Sequence, residues 1–228
     1  MIGIIGAMAM EVERLRAQMD IRETVTVSGI DFTVGTLGGK DAVVAKCGVG
    51  KVYAALCAQT MILRFAPDMI LNTGVGGALN PDLKIGDLLV ATRTVQHDMD
   101  TSALGDPVGL VSGINQIYFP CDERAVTSIV AAAKSLDVRC VTGTVASGDQ
   151  FVSDAAQKAQ IVTRFGADVC EMEGAAIGHV CTVNAVPYAV IRAVSDQADG
   201  GAVVDFPTFA ATAAQTAAAV VARFVERF

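Results

Sequence analysis

Carboxylates stand at the ends of several predicted strands of this 228-residue chain. Glu11 follows the apolar run at residues 2–7, EME at 171–173 ends another run, and RAVSD at 192–196 closes the last one. An isolated acid at a strand end is more often a helix N-cap or a surface group than a catalyst. Two or three such acids that converge on one crevice would form a site.

Two segments that contain glycine, TGVGGA at 73–78 and SGDQF at 147–151, follow two further predicted strands. The first lacks the dinucleotide-binding spacing G-x-G-x-x-G within a βαβ unit. It also lacks the lysine of a P-loop, so binding of a nucleoside triphosphate is not supported. We interpret TGVGGA as a tight turn in which glycine adopts a positive φ. The alternative is a turn that lets the backbone approach a sugar.

Strand-like and helix-like patterns alternate along the chain. The predicted strands lie at residues 2–7, 24–29, 31–39, 41–48, 69–77, 86–95, 138–147, 168–172 and 187–196, and the predicted helices at 10–19, 51–66, 122–136, 153–165, 174–183 and from 206 onwards. Residues 99–120 are expected to form a long functional loop. Apolar strands separated by helices favour a mixed or mostly parallel sheet covered on both faces. We predict one α/β domain over residues 1–228, with ligands at the carboxyl ends of strands.

The composition argues against several classes of function. The chain has the balance of a globular protein, with 52 % hydrophobic and 18 % charged residues. Its net charge of −7 argues against nucleic acid and anionic membranes as partners. No apolar run approaches the ~20 residues of a membrane-spanning helix, and the N-terminus lacks the basic region of a signal peptide. Six cysteines without a C-x-x-C pair indicate reduced thiols in the cytoplasm, and two histidines argue against a metal site for zinc.

Six features occur along the chain in this order: Glu11, GVGK at 48–51, NTGVGG at 72–77, SGDQFV at 147–152, EMEGAA at 171–176 and RAVSD at 192–196. In this combination the chain resembles the bacterial 5′-methylthioadenosine/S-adenosylhomocysteine nucleosidases, which are relatives of the purine nucleoside phosphorylases. The resemblance implies a three-layer α/β/α fold around a mixed sheet. It implies hydrolysis of a nucleoside to adenine without a metal or an organic cofactor. It also implies methionine salvage, and a homodimer in which a loop of one subunit completes the other's pocket.

The resemblance assigns the chemistry to residues that match the family motifs. Asp196 matches the general acid that protonates purine N7, and Ser195 matches the residue that orients this acid. Glu11 matches the carboxylate that activates the attacking water, with Arg192 close to that water. Breaking an N-glycosidic bond builds positive charge on the ribose and negative charge on the departing base. An acid at the base and a base at the water therefore serve both ends.

The other matches form the substrate-binding set. Glu173 matches the acid that binds the ribose hydroxyls, where a carboxylate favours an oxocarbenium-like sugar. Its neighbour Glu171 is expected to support the pocket from behind. The apolar matches are Met172 beneath the sugar, Phe151 stacked on adenine, Val152 with its backbone at the adenine edge, and Met8, Val49 and Phe206 near the 5′ substituent.

Two segments depart from the family pattern. Val75 stands where the glycine-rich motif usually carries serine, which removes a hydroxyl near the ribose and the water. Within residues 98–107, the 5′ pocket loses two aromatic rings and gains a carboxylate, because the residues there are Thr101, Leu104 and Asp106. The base and ribose motifs are intact. We therefore predict N-glycosidic cleavage with an altered tail preference, in which 5′-deoxyadenosine and adenosylhomocysteine are alternatives to methylthioadenosine.

Three other functions stay open at the level of the sequence. They are a phosphate-dependent purine nucleoside phosphorylase, a nucleosidase for a related nucleoside such as futalosine, and a nucleoside-binding protein without catalysis. The stretch GAMAMEVE at 6–13 carries an acid where phosphorylases have basic character, which favours water over phosphate. Binding alone does not require an acid together with a water-activating base, so Glu11, Glu173 and Asp196 together argue against the third function.

Overall fold

The expected alternation of strands and helices is present in a computed structural model, which describes residues 1–228. The strands are β1 (Ile2–Gly6), β2 (Asp20–Val27), β3 (Ile30–Leu37), β4 (Lys40–Lys46), β5 (Met69–Ala78), β6 (Leu88–Gln96), β7 (Tyr118–Pro120), β8 (Cys140–Ser147), β9 (Val169–Glu171) and β10 (Tyr188–Asp196). The α-helices are α1 (Ala9–Arg16), α2 (Lys51–Phe65), α3 (Glu123–Ser135), α4 (Ala155–Phe165), α5 (Gly174–Val183) and α6 (Ala202–Arg227).

All the strands join one mixed sheet, which confirms the predicted fold class. Strands β4, β1, β5 and β10 form a parallel centre, and the antiparallel strands β3 and β2 extend one edge. On the other side β10 pairs with β6, β6 with β8, β8 with β9, and β9 returns to β5. This part of the sheet closes on itself, which strand twist permits. The closure brings β9 across the end of β5 in the opposite direction.

Helices cover both faces of the sheet. On one face α1, α3 and α6 pack against one another, and on the other α2 packs against α5. The faces can be told apart at β1, where a Cβ on Gly3 would meet Met61 of α2 and one on Gly6 would meet Val12 of α1. The helices thereby cover both faces of the sheet, and the candidate site lies at the carboxyl ends of the parallel strands.

The sequence pattern predicted that the last helix begins at Phe206, but α6 begins four residues earlier, at Ala202. Pro207 lies inside the helix, where Thr208 Oγ1 donates a hydrogen bond to Val204 O. By length and composition α6 could cross a membrane, with a mean hydropathy of 1.2, which corrects the expectation that no segment qualifies. However, 56 % of this window is buried, and its small side chains pack against β10 and β5. The helix is therefore a core element.

Two other sequence interpretations need correction. The segment TGVGGA is not a turn, because β5 continues through it to Ala78 and none of its glycines has a positive φ. The segment 99–120 is mostly loop, as predicted, but it contains a 3-10 helix at Ser102–Leu104 and the short strand β7. The first correction matters for function, because β5 runs directly along the site.

Candidate active site

A cavity of about 280 Å³ lies at the carboxyl ends of β1, β5 and β10. Its lining includes all but one of the residues singled out in the sequence: Met8, Glu11, Val49, Val75, Phe151, Val152, Met172, Glu173, Ser195, Asp196 and Phe206. The exception is Arg192. Glu171, which was expected behind the pocket, also lines it, together with residues to which no role was assigned: Ala7, Gly76, Gly77, Gln150 and Cys170. Segments far apart in the chain therefore converge on one crevice. This convergence is the condition under which the acids at the strand ends were expected to form a site.

Glu11 is held by backbone donors in the first turn of α1. Its Oε2 accepts hydrogen bonds from Ala7 N (2.7 Å) and Met8 N (2.9 Å), and its Oε1 accepts one from Val75 N (3.1 Å). Burial raises the pKa of this carboxyl, although the Arg192 charge and the three N–H donors favour the ionised form. A carboxylate with a raised pKa is suited to take a proton from a bound water near neutral pH.

Asp196 ends β10 at a β-bulge. The register of β10 against β5 shifts between Val194 and Asp196, and bulges of this kind re-aim side chains beside active sites. Its Oδ2 accepts a hydrogen bond from Ser195 Oγ (2.8 Å), and its Oδ1 accepts one from Ala198 N (2.9 Å). Burial raises the pKa of the Asp196 carboxyl, so the group keeps its proton to a higher pH and can serve as an acid.

Two glycines of β5 make room for these carboxylates. A Cβ on Gly74 would lie 2.6 Å from Glu11 Oε1, and a Cβ on Gly77 would lie 2.7 Å from Asp196 Oδ1. Any side chain at these two positions would displace a carboxylate. These contacts therefore explain why both residues are glycine, although neither has a positive φ. The glycine-rich motif is therefore a strand that two acids approach closely.

Replacing Gly77 by alanine is expected to reduce the catalytic efficiency on the order of 10²-fold, because the added methyl group would displace the Asp196 carboxyl. The matched control is Gly113→Ala, since a Cβ at Gly113 meets nothing within 4 Å and its φ is not positive. Steady-state rates and melting temperatures of both variants check the expectation. Equal rates for the two variants would show that Asp196 does not need this space.

Arg192 lies beneath the cavity floor and does not line it. Its side chain is 1 % exposed, forms an ion pair with Glu171, and donates hydrogen bonds to Ile191 O (2.9 Å) and to Asn72. Arg192 is nevertheless near enough to Glu11 for its charge to favour the ionised carboxyl, and its closeness to the attacking water stays a prediction. Arg192 acts as the counter-charge under the carboxylates.

Glu171 also serves from behind, although one edge of it reaches the cavity. In addition to Arg192, it accepts hydrogen bonds from Ser147 Oγ, from Glu173 N (3.1 Å) and from Gly174 N (2.8 Å). Each of its oxygens therefore has strong donors. This arrangement fixes the start of α5, and with it the backbone of Glu173.

Glu173 opens α5 and has fewer partners. Its Oε1 accepts a hydrogen bond from Gly50 N (2.8 Å), while its Oε2 lies 4.0 Å from Arg192 Nη2. Burial, and then the Glu171 charge, raise the pKa of Glu173 to about 8, against a smaller lowering by Arg192. The Glu173 carboxyl therefore keeps its proton to a higher pH than an ordinary glutamate does.

This raised pKa predicts a pH-dependent stability. The folded state favours protonated Glu173. The contribution of this group to the free energy of unfolding is therefore complete below the ordinary pKa of 4.5 and is lost as pH rises towards 8. Glu173→Gln removes this loss. We compare the melting temperature of the variant minus that of the wild type at two pH values. This difference is expected to be larger at pH 8.5 than at pH 4.5 by at least about 3 °C. The exposed control Glu23→Gln should show no such pH-dependent difference.

Apolar side chains form the mouth of the cavity. Phe151 and Phe206 meet edge to face, with ring centroids 5.5 Å apart. Phe151 is 47 % exposed and Val49 is 50 % exposed, so both present apolar surface to an incoming ligand. Val152 is buried, and because its side chain is apolar, only its main chain can make polar contacts. The cavity therefore has an acidic floor and an aromatic mouth.

A family model described as the Phosphorylase superfamily matches residues 1–226. The chain belongs to the phosphorylase superfamily. Among its relatives, the 5′-methylthioadenosine/S-adenosylhomocysteine nucleosidase of Shewanella sediminis is 37 % identical over 228 residues, covering 99 % of each chain. The aminodeoxyfutalosine nucleosidase of Campylobacter jejuni is 38 % identical over 226 residues, covering 99 % of this chain and 98 % of that protein. The family resemblance noted in the sequence is therefore confirmed.

Solved structures of this superfamily support the same conclusion. The 5′-methylthioadenosine/S-adenosylhomocysteine nucleosidase of Neisseria meningitidis, in complex with methylthio-immucillin-A, superimposes with a TM-score of 0.96. That protein is 36 % identical in sequence, and the match covers 100 % of this chain and 99 % of that one. The agreement over the full length confirms the nucleoside phosphorylase-like fold.

The two departures from the family pattern differ in location. Val75 lines the cavity, and its N–H remains a donor to Glu11, so only a side-chain hydroxyl is missing. Residues 98–107 do not line the cavity of their own chain. Thr101 Oγ1 donates to Asp106 Oδ2 (2.8 Å), and Leu104 is 84 % exposed. The added carboxylate is thus outside the cavity that one chain forms.

The lining residues Gln150 and Cys170 were missed in the sequence. Both lie inside or beside recognised motifs, SGDQFV and EMEGAA, and their position there is the signal that could have found them. All six cysteines carry free thiols, and burial raises the pKa of Cys170 to about 12, so this thiol is not a nucleophile at neutral pH. No group of three or more histidine, cysteine or acidic side chains is placed to hold a metal ion.

Proposed function

We propose that the protein hydrolyses the N-glycosidic bond of 5′-substituted adenine nucleosides, giving adenine and the 5′-substituted ribose. The observation that carries this proposal is the pair of buried carboxyls, Glu11 and Asp196, on one cavity, each with a raised pKa and each facing a glycine of β5. Superfamily membership and relatives named as nucleosidases agree with it.

Each acid has a separate task in this reaction. Protonated Asp196, held by Ser195 Oγ and Ala198 N, donates its proton to the departing purine. Glu11 accepts the proton of the water that attacks the sugar. Glu173 faces the ribose hydroxyls, and hydrogen bonds from these hydroxyls favour its ionised form, so its proton passes to solvent when the nucleoside binds. The resulting carboxylate stabilises the oxocarbenium-like transition state. Met172 and Phe151 contact the sugar and the base through apolar surface.

The charge of the lining favours water over phosphate. Four acidic side chains line the cavity, Glu11, Glu171, Glu173 and Asp196, and no lysine or arginine does. Arg192, the nearest cation of the floor, is already paired with Glu171. A phosphate dianion would meet repulsion here, whereas a neutral water needs only the Glu11 oxygens. We therefore propose a hydrolase and not a phosphorylase.

The tail of the substrate is the part of this proposal with two candidates. The named relatives include nucleosidases for methylthioadenosine and adenosylhomocysteine and one for aminodeoxyfutalosine, at 37 % and 38 % identity. The apolar group of Met8, Val49 and Phe206 suits a methylthio or a similar tail. The altered residues at 98–107 can act on the tail only from a partner subunit, where they favour a more polar tail, so aminodeoxyfutalosine or futalosine is the second candidate.

Adenine release from 5′-methylthioadenosine, adenosylhomocysteine, 5′-deoxyadenosine and aminodeoxyfutalosine, with and without inorganic phosphate, tests this function. We expect adenine in the absence of phosphate and no acceleration by phosphate. Release that requires phosphate would replace the hydrolase by a phosphorylase. Release from none of the four nucleosides, with binding retained, would leave a binding protein.

We also propose that the protein is a cytoplasmic homodimer that acts in methionine salvage. An apolar surface on α2 and α5 supports the dimer: Val52 is 70 %, Leu56 47 % and Val183 60 % exposed. In the proposed dimer, the segment 98–107 of one subunit, with its exposed Leu104, completes the pocket of the other. The six free thiols agree with a reducing compartment. Sedimentation analysis of wild type and Leu56→Glu tests the dimer, because the charge should yield monomers.

A further inference from the structure

A lysine outside every recognised motif lies directly behind the proposed general acid. Lys158, on α4, donates hydrogen bonds from Nζ to Gln197 O (2.6 Å) and to Ala78 O (2.8 Å). Ala78 ends β5, and Gln197 is the first residue after β10. The ammonium group thus joins these two strands one step beyond their last paired residues, Gly77 and Asp196.

The peptide that Lys158 holds is the one that supports the acid. Its carbonyl is Gln197 O, which accepts from Lys158, and its N–H belongs to Ala198 and donates to Asp196 Oδ1 (2.9 Å). A cation at the carbonyl polarises the peptide and strengthens donation by the N–H on its other side. Lys158 therefore acts on Asp196 through a single peptide unit.

The conformation of this peptide needs such support. Ala198 is fully buried and has a φ of 49°, in the left-handed region that costs a non-glycine residue roughly 1–2 kcal/mol. The half-buried Lys158 forms no ion pair, and the protein acceptors of its ammonium group are these two carbonyl oxygens. The Lys158 ammonium group thus binds a strained peptide that lies next to the Asp196 carboxyl. This arrangement indicates that Lys158 helps to position the carboxyl.

We propose that Lys158 is a positioning residue for the general acid, fixing the 197–198 peptide whose N–H holds the Asp196 carboxyl. This inference rests on the proposed function, in which Asp196 protonates the leaving purine. It adds α4 to the elements that determine the rate, although no residue of α4 contacts the reacting atoms.

The first part of the test compares Lys158→Met with wild type on 5′-methylthioadenosine. We expect kcat for adenine release to fall about tenfold, because the acid is misplaced, while KM changes less than about twofold. The matched control is Arg164→Met, an exposed cation on the same helix, which should keep the wild-type kcat. A kcat of Lys158→Met within twofold of wild type overturns the inference.

The second part separates positioning from general stabilisation. In an Asp196→Asn background Lys158→Met should cost no further activity, because the group that it positions can no longer donate a proton. An undiminished tenfold loss in that background overturns the inference. If thermal melting shows that Lys158→Met is unfolded, Lys158→Gln, which retains a neutral donor, enters the same cycle with the same criterion. Absence of adenine release by wild type would instead refute the proposed function itself.

Discussion

Asp196→Asn is expected to lower adenine release from 5′-methylthioadenosine by about 10³-fold, with the fold unchanged. Asparagine cannot supply a proton to the leaving base, and general acid catalysis contributes typically ~10²–10⁴-fold. The amide oxygen can still accept from Ala198 N, and the amide nitrogen can donate to Ser195 Oγ, so the hydrogen bonds around the side chain are kept. Initial rates, with circular dichroism and thermal melting for the fold, measure the effect.

The control for this variant is Asp137→Asn, an exposed residue with a φ of 56° where asparagine is well tolerated. It should keep the wild-type rate. Turnover by Asp196→Asn within tenfold of wild type would remove Asp196 from the role of general acid. The wild-type rate should also fall on the alkaline side as Asp196 loses its proton, and this limb should be absent from the variant.

Glu11→Gln is expected to reduce adenine release to a similar extent, on the order of 10³-fold, for the opposite reason. Glutamine cannot accept the proton of the attacking water. One of its terminal groups must also face a backbone donor as an NH₂, because Ala7, Met8 and Val75 all donate to this side chain. Removal of a buried charge offsets this mismatch. We therefore expect a change in melting temperature of only a few degrees.

The matched control for Glu11→Gln is Glu13→Gln, an exposed acid on the same helix. Since burial raises the pKa of Glu11, the wild-type rate should fall on the acid side as this carboxyl gains a proton. Rates measured from pH 5 to 9 with both variants would locate this limb. Retention of the acid limb together with near-wild-type turnover in Glu11→Gln would mean that another group activates the water.

The sequence predicted which carboxylates matter, because parallel strands leave their carboxyl ends at one edge. Glu11 after β1 and Asp196 at the end of β10 meet there as this rule requires. The acid of β9, Glu171, reaches the site in a different way. That strand runs antiparallel to β5, and only the closure of the sheet returns Glu171 to the site. Nothing in a local sequence pattern shows such a closure.

The errors have a common physical cause. A turn was inferred at TGVGGA because glycine was considered only for its own backbone, whereas Gly74 and Gly77 are determined by carboxylates more than 60 residues away in the chain. Arg192 lies under the lining of the cavity for a similar reason, because its partners Asn72 and Glu171 belong to other strands. In both cases the cause is a contact with residues distant in the chain. Such contacts cannot be recognised from the residues next to the glycines or to Arg192 in the sequence.

The construction of the cavity from two kinds of structure has a consequence for divergence. Its floor belongs to paired strands, where Gly77 leaves no space for a side chain and Asp196 sits on a bulge. Its mouth is made of half-exposed groups such as Val49 and Phe151, which sit on segments between the strands. Substitutions at the mouth can be accepted without disturbing the reaction below. One chemical step can thus be inherited unchanged while the choice of nucleoside drifts, as in relatives of equal similarity that carry different names.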